Sequence, residues 1–174
     1  MAATMTIQEC NGAGQTKTDK TAGTIRFKMT DNATVDLVNP LVVPTSGQNY
    51  SYEKWLRMRI TAGTFTQVDN LRMYTDASNT YGTGIKLWAA PIAAYATPVI
   101  PSTANDPPQH ATTTFVDAFG HTSGAPLDMD NLNAGPFDST SLPKDVGNYL
   151  ILVLEVEAAA TQGVKSSEAL TFLW

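Results

Sequence analysis

The chain has 174 residues, of which 43% are hydrophobic and 16% charged, and its net charge is −5. That is enough chain and enough apolar character to bury one core, and too little charge for a disordered polyelectrolyte. The most apolar stretch, Tyr149 to Val156, is already interrupted by Glu155 and falls well short of the roughly 18 residues a membrane-spanning helix needs.

Residues 1–21 hold two basic and two acidic side chains among Gly, Thr, Gln and Lys. Without clear apolar periodicity they are expected to form an extended N-terminal arm outside a domain spanning 22–174. Cys10 is the only cysteine, so it closes no intrachain disulfide and reads as an incidental thiol of that arm. The opening stretch also lacks the basic region and apolar core of a secretory signal, which predicts synthesis without Sec export.

Strand signals begin at Thr24–Met29, where Ile25, Phe27 and Met29 alternate with polar neighbours, and Thr34–Val38 repeats the pattern with Val35 and Leu37 expected inward. Over Ser51–Ile60, Leu56, Met58 and Ile60 alternate with Trp55, Arg57 and Arg59. Asn70–Thr75 sets Leu71 and Met73 against Arg72 and Tyr74, and Gly84–Ala89 sets Ile85 and Leu87 against Lys86 and Trp88. The spacing therefore predicts three strands sharing an outer face of Trp55, Arg57, Arg59, Arg72, Tyr74 and Trp88, a candidate partner-contact surface.

Between residues 90 and 144 the alternation dissolves, and eight of the ten prolines fall there. Only Thr112–Ala118 has strand character, so the interval is expected to form long loops over the surface or toward a neighbour. Gly147–Glu157 is nearly continuous in apolar residues, the mark of a central strand covered on both faces, and Glu168–Trp174 gives a last strand. The expected fold class is all-β, a two-sheet antiparallel sandwich of jelly-roll type with an extended N-terminal arm.

Catalytic chemistry finds little footing. His110 and His121 are the only histidines, and no Gly-x-Ser-x-Gly elbow accompanies them. Asp128 and Asp130 form a carboxylate pair only two residues apart, in a stretch that fails the EF-hand pattern at Leu132 and Asn133. No catalytic, cofactor-binding or metal-ligating residue is therefore assigned, and the protein is expected not to be an enzyme. Trp55, Tyr74 and Trp88 would suit sugar stacking as well as packing at an interface. Residues 91–174 carry nine acidic and two basic side chains. That balance disfavours nucleic acid as a partner, and the asymmetry along the chain suits either the orientation of neighbouring copies or simple solubility.

Taken together, Tyr52 to Ile60, Val68 to Tyr74, Gly84 to Trp88, Gly147 to Val156 and Leu170 to Trp174 resemble, in strand style, the small β-sandwich virion proteins of tailed bacteriophages. The resemblance implies a structural capsid decoration or cement protein on the capsid surface, synthesised in the host cytoplasm. It further implies the major capsid protein and copies of itself as partners, a homo-oligomer with a trimer favoured, and neither nucleic acid nor membrane. A tail, neck or fibre protein and a carbohydrate-binding module for host attachment are the alternatives it leaves.

Overall fold

A computed structural model describes residues 2–174. It is all-β, with antiparallel sheets in layers consistent with a sandwich. In chain order the strands are β1 (Thr4–Asn11), β2 (Thr16–Asp19), β3 (Gln48–Tyr50), β4 (Lys54–Ala62), β5 (Arg72–Tyr74), β6 (Ile85–Ile92), β7 (Gln109–His110), β8 (Thr113–Thr114), β9 (Val116–Asp117), β10 (Leu127–Asp128), β11 (Lys144–Glu157) and β12 (Thr171–Leu173).

Seven strands make the main sheet in the order β2-β1-β4-β11-β6-β9, with β3 also on β11. A second sheet runs β10-β5-β12, and β7 pairs with β8 alone. The alternation read along Ser51–Ile60 decides how the layers stack. Leu56, Met58 and Ile60 turn to one face of β4 and meet Leu150, Leu152, Leu87, Met5 and Ile7, together with Met73 and Leu127 of the second sheet. On the opposite face, Trp55, Ile151, Val153, Tyr149, Ala90 and Cys10 form another core with Phe115 and Tyr50. Strand β11 thus lies between two apolar layers, which is why its sequence reads as an unbroken hydrophobic run. Each fully buried aliphatic side chain there contributes about 1.5–3 kcal/mol relative to exposure.

Residues of the expected N-terminal arm are instead integral to the sheet, with Met1 outside the described residues. Strand β1 pairs with β4 from Thr4 to Cys10, and β2 folds back on β1 as an edge. Met5 and Ile7 enter the core, and Glu9 is buried because Lys54 Nζ, 45 residues away in sequence, meets its Oε1 at 3.0 Å. Polar Gln8, Glu9 and Asn11 disguised a strand whose alternation is completed by charges that find partners only in the fold.

Residues 24–38 correct a second expectation. They form no strand beyond an isolated bridge between Lys28 and Pro40, and Val35 and Leu37 face solvent. Lysines fix this loop from beneath. Lys20 Nζ donates to the carbonyls of Thr24 and Ala33, Lys54 Nζ to that of Asn32, and Lys28 Nζ to that of Thr34 and to Asp36 Oδ1. Lys54 and Lys28 are fully buried, so carbonyl and carboxylate partners take the place of water around their nitrogens.

Candidate interaction surface

The six residues expected on one outer face are divided between two sheets. Strands β4 and β6 flank β11 in the main sheet, and β5 is the middle strand of the second sheet. Trp55, Arg57, Arg59 and Trp88 therefore share one face of the main sheet, and Arg72 and Tyr74 stand apart from them.

Trp55 is not an outer residue, because it is completely buried. Its Nε1–H donates to Glu53 Oε2 at 3.0 Å, and its ring meets Tyr95, His110 and Tyr149 edge-on at centroid distances of 5.1, 5.1 and 5.7 Å. The guanidinium of Arg57 lies 4.3 Å from the centre of the Tyr149 ring and donates from Nε to the carbonyl of Val146. Trp88 is half-buried and donates from Nε1 to Glu155 Oε2 at 2.6 Å. Burial pushes Lys86 down, yet Glu157 and Glu155 outweigh that effect and hold its ammonium above the ordinary lysine range.

This face is closed by the segment between β6 and β9. Glu53, itself fully buried, receives the backbone N–H of Val99 at 3.2 Å and lies 2.7 Å from Nδ1 of His110 on β7. Tyr95 reaches across to donate to the carbonyl of Gly12 at 2.6 Å. One buried carboxylate thus ties the cover to the sheet. The sequence recorded Glu53 and His110 only as isolated polar residues 57 positions apart, and nothing local announces their pairing.

Arg59 and Lys17 share Asp145, at 2.6 and 2.5 Å. Burial pushes the Asp145 carboxyl up, but hydrogen bonds from Lys17 and Arg59 prevail and hold it below the usual carboxylate range. On the second sheet, Asp128 and Asp130 converge on Nη1 of Arg72, each at 2.9 Å, and Asp130 Oδ2 accepts the N–H of Leu71. The cation between that acidic pair is a guanidinium. Tyr74 is partly exposed beside it on β5.

The exposed large apolar side chains include Val164 at 74%, Leu132 at 60% and Trp174 at 53%, and a group that follows Lys28 in the chain. Leu37 is 66% exposed, Val38 62%, Val42 58% and Val35 50%, all on the lysine-braced loop. Val99 and Ile100 emerge on the adjoining segment, since consecutive residues Tyr52 and Glu53 donate to the carbonyls of Lys28 and Val99. Compared with known protein families, curated proteins and solved structures, the chain matches none.

Proposed function

We propose that the protein is a structural component of a tailed-phage particle, a capsid decoration or cement protein that stabilises the head through lattice contacts with the major capsid protein and with copies of itself, a trimer being the favoured assembly. The jelly-roll connectivity expected of such proteins belongs to the same proposal.

One observation carries it. Trp55 and Arg57, two of the residues that sequence pattern assigns to binding, are buried, and Val35, Leu37, Val38 and Val42 stand exposed just beyond a backbone stretch, 32–34, and an Asp36 side chain that buried lysines hold. Ordering that loop before it meets a partner reduces the entropy lost on binding. A cement protein acts by binding the assembled lattice in preference to free subunits, so stabilisation follows its occupancy, and many copies add avidity. The alternative of glycan stacking loses its strongest platform, because Trp55 is buried.

The test is addition of purified protein to heads that lack it. Wild-type protein should bind and raise the temperature at which heads rupture, and a folded Leu37→Asp/Val38→Asp variant should not. Equal binding by both, or recovery of the protein only with tails, contradicts the proposal.

A further inference from the structure

The buried corner where β1 meets β4 has the makings of a covalent cross-link. Cys10 pairs with Trp55 across these antiparallel strands, so Asn11 and Lys54 are the next residues on each and neighbours across the pair. Both turn to the same side as Glu9. Lys54 Nζ lies 3.0 Å from Glu9 Oε1, and Asn11 Nδ2 lies 3.3 Å from the same oxygen. All three side chains are buried, Glu9 and Lys54 completely.

We propose that Lys54 and Asn11 condense into an intramolecular isopeptide bond, with Glu9 as the proton-transfer group. Lys54 Nζ gives a proton to Glu9 Oε1 and attacks Cγ of Asn11. The new Nζ–Cγ bond forms, the Cγ–Nδ2 bond breaks, and the proton held by Glu9 together with the second proton shed by the attacking nitrogen passes to the departing nitrogen, which leaves as ammonium. No oxidant or co-reactant is needed. Free amines and carboxamides do not exchange at a useful rate in water, but one oxygen of Glu9 holds both nitrogens, so a fixed juxtaposition replaces an encounter between separate molecules, and burial limits competing water.

Three further features suit this chemistry. The Asn11 amide nitrogen also donates to Asp31 Oδ1 at 2.7 Å, so two carboxylates receive the leaving group. A surface cleft lined by Asn11, Gly12, Thr16, Asp31 and Thr34 opens at that point and gives ammonia an exit. Finally, the backbone N–H of Gly12 is committed to Asp31 Oδ2 at 2.7 Å, which restrains it from the attack on its own Asn11 side chain that Asn-Gly sequences otherwise undergo. Lys20 also approaches Glu9, but at 3.6 Å from Oε2 it lies farther off than Lys54, and it holds two carbonyls, those of Thr24 and Ala33, where Lys54 holds only that of Asn32. The bond would fasten the first strand to the middle of the sheet, and this inference is independent of any role in a virion.

Intact mass spectrometry of the purified full chain tests it. Wild-type protein should be lighter by one ammonia than its sequence requires, and trypsin should leave Lys54 uncleaved and joined to the fragment carrying Asn11. Lys54→Arg and Asn11→Ala should each show their full mass, and Glu9→Gln should form the bond at least about a hundredfold more slowly, as loss of a positioned proton-transfer group requires. The Glu9→Gln rate is read from refolded protein, so the proposal does not depend on any one variant folding. Full mass in folded, aged wild-type protein overturns it. So does an ammonia loss that persists in Lys54→Arg, which would be cyclisation at Asn11-Gly12, or a cross-link through Lys20.

Discussion

The indole of Trp55 donates to the carboxylate of Glu53 at 3.0 Å, and both side chains are fully shielded from water. That bond joins the main sheet to its cover, because the same carboxylate holds Val99 and His110. Trp55→Ala should lower stability by about 3–5 kcal/mol through cavity formation. Trp55→Phe keeps most of the ring but leaves Glu53 short of a donor, and should cost about 1–3 kcal/mol. Urea denaturation monitored by circular dichroism measures both. Equal stability of Trp55→Phe and wild type would show that the hydrogen bond contributes nothing.

Cys10 reports on the first strand. Burial pushes its thiol up to about 11, and the thiolate is the reactive form. In native protein at neutral pH, a thiol reagent should label Cys10 far more slowly than in guanidinium. Rapid native labelling would mean that β1 leaves the sheet.

Legibility in the sequence followed the range of the interactions. Strands β4, β5, β6 and β11 were readable because each alternates or saturates in apolar residues that pack whatever their partners are. The first strand was not, since Glu9 and Asn11 at inward positions make sense only beside Lys54 and Asp31. The reverse error at Val35 and Leu37 has the same origin: local alternation suggested a strand, but Lys20 just after β2, Lys54 of β4 and Lys28 of the loop itself hold the backbone of the three preceding residues, 32–34. For the candidate surface, pattern correctly put Trp55, Arg57 and Arg59 on the face opposite Leu56, Met58 and Ile60. It had no means of knowing that residues 93–110 would cover that face.

Gly147 tests the contact between layers. Its φ is +66°, and a Cβ there would come within 2.5 Å of Leu71 Cδ1 and 2.9 Å of the carbonyl oxygen of Met129. Gly147→Ala should destabilise by about 1–3 kcal/mol, combining left-handed backbone strain with overpacking. Thermal melting checks this, and an unchanged midpoint would mean that the layers separate easily.

Stability should fall on the acid side. Asp145 has a folded pKa below its unfolded value of about 4. Its contribution is therefore present above that unfolded value and is lost as pH falls through the folded one. Asp145→Asn should be about 1–2 kcal/mol less stable than wild type at pH 7, with the difference shrinking toward pH 2. Denaturation series at several pH values measure the slope, and a pH-independent difference would assign the loss to packing.

The proposed function makes the exposed loop at 35–42 the surface through which this protein would join a particle. Leu37→Asp/Val38→Asp changes two exposed side chains, so its folded stability should stay within about 0.5 kcal/mol of wild type per site. Cosedimentation with heads lacking the protein is the direct measurement. Wild type should bind stoichiometrically and the variant at least about tenfold more weakly, the loss of roughly 1.4 kcal/mol of contact energy. Undiminished cosedimentation of the folded variant would contradict it.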